Sequence, residues 1–418
     1  MSAKFLDNLS FVFLLASACF LPWQTKLIWL PAPSNYWEIS FFAAFFCVLF
    51  FVVFFLPGKR LHSELVDFFR RNRLLSFAFL ILIFSGFVSA VFSAFPALSL
   101  FRWFLLLLAI SFFYCLLRSP LAWRHYFIAI VLSMLAVQAA MGLLQFFGQL
   151  TFASSWLGIA SHRAGDLGAA VIETSDGRWL RAYGASDHPN IFGGLMALGA
   201  LSSLYALFYA GRRRIKLILP AAYFLFFGAL LASFSRAALA AFIFGLLILI
   251  FERRLFGRNY RRVLFAFLFF SLLVAALFGW QYRGLLRART GLNNRLEVIS
   301  LDERAEFNRR AWHNFADDPL GGVGLGASSF LDYRRGGALS GQAWRYQPAH
   351  NYWLLTAAEG GIIFVSAWFL IWLEAYKKSR KHLVFGLFAA IFFLSLFDHW
   401  LFSLPLSSFW LLSLFALM

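Results

Sequence analysis

Residues 347–361, QPAHNYWLLTAAEGG, pass within a few positions from a polar loop holding His350 into an apolar helix. The loop before them is long and rich in arginine, and the apolar run after them is long enough to cross a bilayer. One architecture accommodates both: a membrane scaffold that presents a histidine at the mouth of a helix. The rest of the chain agrees. Of 418 residues, 61% are hydrophobic, 56 are Phe and only 13% are charged, with a mean hydropathy of +0.74. That composition excludes a water-soluble globular core and specifies an all-α integral membrane protein.

A net charge of +18 would suggest nucleic acid in a soluble protein. Here the cations cluster between apolar runs, so membrane lipids are the implied partner and nucleic acid is not. The apolar runs predict about twelve transmembrane helices, at 9–30, 36–56, 74–92, 97–118, 126–147, 191–210, 217–231, 237–251, 263–280, 351–376, 383–397 and 400–417. Short basic clusters at 59–73, 118–124, 211–216, 252–262 and 377–382 then all fall on one side, which places that side and both termini in the cytoplasm. Cys19, Cys47 and Cys115 lie inside apolar runs and read as small hydrophobes rather than a disulfide or metal framework. LLASAC around Cys19 faintly resembles a lipoprotein processing site, but the apolar run continues beyond it, so the first span is expected to be retained.

The unusual residues gather on the opposite side. Arg181 and His188 precede the sixth span, Ser235 and Arg236 cap the turn between the seventh and eighth, and Asp398 and His399 occupy the final outer turn. A transporter would carry ionisable groups near mid-bilayer, and these spans are nearly free of them. Arg102 sits near the outer end of its span; Gln138 and Gln145 share one helical face and are expected to bond between helices. The outer loop 281–350 holds ten arginines and no lysine. A guanidinium fork grips phosphate oxygens bidentately, so this preference points to anion recognition. The glycine-rich stretch 317–330 has no nucleotide-binding spacing and reads as a tight turn against the membrane surface.

At the start of the sixth span, Ser186 or Asp187 is a candidate N-cap before Pro189, which would offer free backbone N–H groups to an anion held by Arg181. Arg236 lies at a turn too short to leave the membrane surface, where it suits a phosphate. His350 sits at the positive end of a helix dipole, which disfavours the imidazolium and leaves a neutral ring able to accept a proton. The outer loops contain no D-x-D pair and their histidines are scattered over separate loops, so neither a metal nor a cofactor is expected.

Taken in order, four motifs resemble the O-antigen ligase and O-antigen polymerase superfamily. They are R-x-Y-G…H-P-N (Arg181, Tyr183, Gly184, His188–Asn190), S-x-S-R (Ser233, Ser235, Arg236), R…W…P-L-x-G-x-G (Arg310, Trp312, Pro319, Leu320, Gly322, Gly324) and H-N-Y-x-L…E-G-G (His350, Asn351, Tyr352, Leu354, Glu359). The resemblance covers 179–400, the catalytic region including loop 281–350; 1–178 would be amino-terminal spans with a first outer loop, and 401–418 the last span. It implies a metal-independent, inverting glycosyltransferase of the C-type membrane fold in the bacterial inner membrane. Such enzymes move a glycan from undecaprenyl pyrophosphate to a hydroxyl on a glycolipid, a glycan or a glycoprotein at the periplasmic face. His350 would be the general base, with Arg181 and Arg236 on the pyrophosphate and Arg310, His188, Asn351, Arg102 and Asp398 binding substrate. An O-antigen ligase acting on lipid A-core is the favoured member. A polysaccharide polymerase and a protein O-oligosaccharyltransferase share the pattern, and a lipid-linked glycan transporter is the alternative of a different class.

Overall fold

Helices that are apolar all round can satisfy their backbone only within themselves, and this chain is built mostly from such helices. The computed structural model describes residues 3–56, 61–209, 213–252, 258–291, 295–336, 342–382 and 384–418. The amino-terminal half runs α1 (Ala3–Phe20), a hairpin of β1 (Lys26–Leu30) and β2 (Ile39–Phe42), α2 (Ala43–Phe55), α3 (Leu61–Arg71), α4 (Arg73–Val91), α5 (Pro96–Arg118) and α6 (Leu121–Gly148). Two further hairpins follow, β3 (Leu150–Thr151) with β4 (His162–Arg163) and β5 (Val171–Thr174) with β6 (Gly177–Leu180). Then come α7 (Pro189–Tyr209), α8 (Arg213–Ala232), α9 (Arg236–Phe251) and α10 (Arg258–Gln281). The segment that leads to His350 folds as α11 (Arg283–Thr290), α12 (Arg295–Asp317) and α13 (Ser328–Arg335). The chain closes with α14 (Tyr352–Lys381), α15 (Phe385–Phe397), α16 (Trp400–Ser403) and α17 (Ser407–Leu417).

Among the described residues six helices are long and apolar enough to cross a membrane: α4, α5, α6, α7, α10 within 261–281, and α14. Five shorter apolar helices, α2, α8 from Lys216, α9, α15 and α17, pack among them. Parts of two basic clusters, 211–212 and 253–257, lie outside the described residues, as do Lys59 and Arg60.

Four expectations change. The first two apolar runs do not remain helical to 30 and from 36; α1 stops at Phe20 and an antiparallel hairpin replaces the facing ends. Its sequence explains this: Lys26 on β1 pairs with Glu38 at 2.6 Å across the hairpin, and Pro31 and Pro33 cannot continue a helix. With the three hairpins the protein is mostly helical rather than strictly all-α. The run 400–417 is broken at 404–406 around Pro405, giving two short helices.

The fourth change concerns 317–330, which enters the bundle instead of lying on its surface. Gly361 breaks α14 with φ 73° and ψ −179°, and the glycine stretch fills the break. Val323 N donates to Ala358 O at 2.9 Å, Gly324 N to Glu359 O at 3.0 Å, and Ile362 N to Pro319 O at 2.8 Å. The buried Glu359 carboxylate accepts from Gly326 N at 2.6 Å. A Cβ at Gly322 would strike the Glu359 backbone and one at Gly361 the Leu320 carbonyl, so both glycines are required by close approach as well as by positive φ.

Candidate active site

The turn between α8 and α9 is the anchor of the site. Phe234 takes φ 47°, unusual for a side chain of that size, and Ser235 caps α9 by accepting from Ala238 N. The carbonyls turned outward by that geometry are taken by arginines. Arg181 Nε donates to Ser233 O at 2.8 Å, and Arg289 Nε to Phe234 O at 3.3 Å. Arg181 also donates to Asn190 Oδ1 at 2.8 Å. Its own loop is fixed by Gln145, which accepts from Gly184 N and donates to Gly184 O, both at 2.8 Å. Gln145 therefore serves the site's backbone rather than another helix; Gln138 likewise bonds a carbonyl, that of Pro22.

Arg236 lies at the start of α9 and pairs with Glu297 of α12 at 2.9 Å. The second oxygen of Glu297 pairs with Arg289. Arg181 is buried with no carboxylate paired to it among the described residues, and burial together with the cation of Arg289 lowers its pKa well below the ordinary arginine value. Arg304, on the same face of α12 as Glu297, bears electrostatically on Arg181, His188, His350 and His399 at once. Arg181, Arg236 and Arg289 thus share the field of one carboxylate, that of Glu297.

His188 caps α7, taking the place expected for Ser186 or Asp187. Its Nδ1 accepts from Asn190 N at 3.1 Å, and its carbonyl accepts from Ile191 N at 3.0 Å. The residue keeps an exposed edge, but the protein around the ring and the charges of Arg181 and Arg304 hold its pKa well below the usual histidine range. His350 stands just ahead of α14. Asn351 caps that helix, accepting from Leu354 N at 2.9 Å, and its amide donates to Leu396 O at 3.0 Å. This second bond draws the end of α15 against His350. His399 consequently meets His350 with ring centroids 4.8 Å apart, while Phe307 stacks behind His350 at 6.2 Å. His350 Nδ1 is buried without a partner, and burial, then His399 and Arg304, push the ring's pKa well below 6.5. His399 Nδ1 is held by the Ser403 hydroxyl at 2.6 Å, and Asp398 accepts from the His399 backbone at 2.8 Å.

The histidines expected to be scattered are therefore neighbours. Single ligand atoms of His350, His399 and Asp398 lie within 4.8 Å of one another, a nitrogen and oxygen set of the kind that can hold a transition metal. The fit to a cation is poor, because the positive field of Arg304 falls on both rings and lowers their affinity for protons in the same way.

Two expected residues lie apart from this group. Arg310 reaches Glu306 at 2.8 Å and the Tyr346 ring at 4.9 Å, on the outer face of α12. Arg102 donates to Tyr36 O at 3.2 Å and lies behind Tyr36, whose ring packs on His399 at 5.7 Å. Arg289, Glu297 and Arg304 carry no expected role in the sequence reading. Their signal is periodicity: Glu297, Arg304 and Ala311 recur every seventh residue and share one helical face, with Phe307 between them.

Arginines close to a proton-poor histidine, set where helices end, form an arrangement that can neutralise an anion and accept a proton. Residues 221–369 match the family model described as O-antigen ligase, a match that supports the O-antigen ligase superfamily. The matched span contains Arg236, Arg289, Glu297, Arg304 and His350. With its long apolar helices, the chain is a multi-pass membrane protein. No curated protein gives a match to the chain.

Proposed function

We propose that the protein is an inverting, metal-independent glycosyltransferase of the bacterial inner membrane. It moves a glycan from undecaprenyl pyrophosphate to an acceptor hydroxyl at the periplasmic face, as an O-antigen ligase acting on lipid A-core. The observation that carries this reading is that Arg304 bears electrostatically on both His350 and Arg181, beside the Arg236–Glu297–Arg289 cluster, while the His350 ring is held well below the usual histidine range. His350 takes the proton from the acceptor hydroxyl as its oxygen bonds to the anomeric carbon. The bond from that carbon to the pyrophosphate oxygen breaks on the opposite face, which inverts the carbon. The negative charge left on the pyrophosphate is met by arginines already held in place, so little reorganisation accompanies the step. His188 and Asn190 fix Arg181, and Glu297 fixes Arg236 and Arg289. The polyprenyl tail stays among the apolar helices.

The test is His350→Ala in purified full-length protein supplied with lipid-linked donor and lipid A-core. Transfer is expected to fall at least about 100-fold, the usual share of a general base, with donor binding retained. Transfer at the wild-type rate would refute the assignment. In cells, loss of the gene is expected to strand full-length polymer on its lipid carrier; single repeat units on the acceptor would identify a polymerase instead.

A further inference from the structure

The β1–β2 hairpin has two unlike strands. β2 is buried against the bundle apart from the half-buried Phe41, whereas Leu27, Ile28, Trp29 and Leu30 of β1 are all exposed, Leu27 at 70% and Trp29 at 71%. The loop after β3 adds Phe152 and Trp156, the latter 84% exposed. The two segments are neighbours, because the Thr25 hydroxyl donates to Trp156 O at 2.5 Å and Gly158 lies against the backbone of Gln24.

Both segments run on into helix faces that lipid covers in a multi-pass membrane protein. Trp29 packs on Phe41 at 5.7 Å and Phe41 on Phe46 at 6.2 Å, and Phe46 belongs to the exposed side of the apolar helix α2. Phe152 lies a few residues beyond Leu144 and Phe147, both exposed at the end of α6, a helix long and apolar enough to cross.

The backbone fixes the depth of this surface. The sheet has two strands, so the outer edge of β1 carries N–H and C=O groups that no neighbouring strand takes up. In the hydrocarbon core such groups find no water, and an open sheet edge is not tolerated there. In bulk water the hairpin would instead display a contiguous apolar strip, which soluble surfaces rarely do. The layer between meets both demands. Water reaches the strand edge, acyl chains cover the apolar side chains, and the Trp29 and Trp156 indoles take the position that tryptophan favours at membrane interfaces.

We infer that the β1–β2 hairpin and the 152–156 loop form a lipid-docking surface, seated at the boundary of headgroups and acyl chains in the leaflet on the side of His350 and His399. The connection between the two strands carries Tyr36, which packs on His399 at 5.7 Å, and Trp37, whose Nε1 donates to Ser329 at 2.9 Å. The seat therefore ties the height of the histidine pair to the membrane surface, the level at which the phosphates of a lipid-linked substrate lie. It holds whatever reaction the site performs.

Photolabelling of the wild-type protein in nanodiscs tests it. Two phosphatidylcholines serve as labels, one with a diazirine next to the glycerol and one with a diazirine at the end of an acyl chain, and the adducts are mapped by peptide mass spectrometry. Phe270 and Leu272, exposed and midway along α10, mark the bilayer centre. With the glycerol-proximal label, adducts are expected at 27–30 and at 152–156. With the chain-end label, those adducts are expected to be lost and adducts at 270–272 to appear. Equal labelling of 27–30 and 152–156 by both lipids would put the hairpin in the hydrocarbon core and overturn the interfacial seat. Absence of adducts from either segment with both lipids, while 270–272 is labelled, would mean that water, a second copy or another protein covers it, and would also overturn the inference.

Discussion

The ring of His399 meets that of His350 at 70°, with centroids 4.8 Å apart, and joins the last loop of the chain to the mouth of α14. Burial lowers the pKa of both rings, and His350 is lowered further by His399, Arg304 and His188; Asp398 opposes the shift only at His399. A base that stays neutral under these influences works at pH values where a free histidine is protonated. The rate of transfer is expected to hold as pH falls through 6.5 and to decline only below it. His399→Asn removes one repelling ring, so His350 should gain protons more readily and the acid limb should move to higher pH. The pH profile of kcat/KM decides this, and an acid limb unmoved by the substitution would count against it.

The same shifts set a stability trend. His188, His350 and His399 are held neutral in the folded protein, whereas in an unfolded chain they protonate near pH 6.5. Below that pH the unfolded state binds more protons, so folding stability falls as pH falls. Melting temperatures in detergent are expected to drop between pH 7 and pH 5, and to drop less in His188→Asn. Equal slopes for the two proteins would contradict the assignment of a neutral His188.

Arg304 and Arg310 sit on one helix and should behave differently. Arg304 faces the histidines, whereas Arg310 is held by Glu306 and Tyr346. Arg304→Ala is expected to lower donor kcat/KM by about 100-fold, with partial rescue by Lys, which keeps the charge but loses the planar fork. Arg310→Ala should change it less than about threefold, within the small worth of an exposed ion pair. Steady-state kinetics against donor concentration would reveal the reverse order if Arg310 were the phosphate ligand.

The sequence discloses the long apolar helices and the place of His350 at the mouth of one of them because each follows from a local pattern: apolar length and a Pro-x-His before a span. It does not disclose that His399 touches His350, since that contact depends on Asn351 reaching the end of α15. Nor does apolarity distinguish helix from hairpin at 26–42, where a cross-strand Lys26–Glu38 pair and two prolines decide the outcome. Among ten arginines in one loop, telling Arg304, which bears on the histidines, from Arg310, which pairs with Glu306, requires the helical phase of α12, which becomes informative only once Glu297 and Phe307 are seen to face inward.

The break in α14 should tolerate no side chain. Gly361 needs φ 73° and touches the Leu320 carbonyl, and the glycine stretch that fills the break positions α13 and the loop to His350. Gly361→Ala is expected to cost upwards of about 2 kcal/mol from backbone strain and overlap together. Fluorescence-detected gel filtration should show loss of the monodisperse peak, whereas Gly284→Ala, with open space around it, should elute as the wild type does.

Glu297 presents the opposite case, a residue needed for order whose charge works against the chemistry. It binds Arg236 and Arg289 through separate oxygens and is itself buried. Its loss leaves two arginines near Arg181 without an anion, and removing one partner of a buried ion pair costs roughly 3–5 kcal/mol. Glu297→Gln keeps the shape and removes the charge, so the empty protein is expected to melt at lower temperature. A pyrophosphate can supply the missing charge. Inorganic pyrophosphate should therefore raise the melting temperature of Glu297→Gln by more than it raises that of the wild type. An equal rise in both would mean that the arginine cluster does not face the phosphate site.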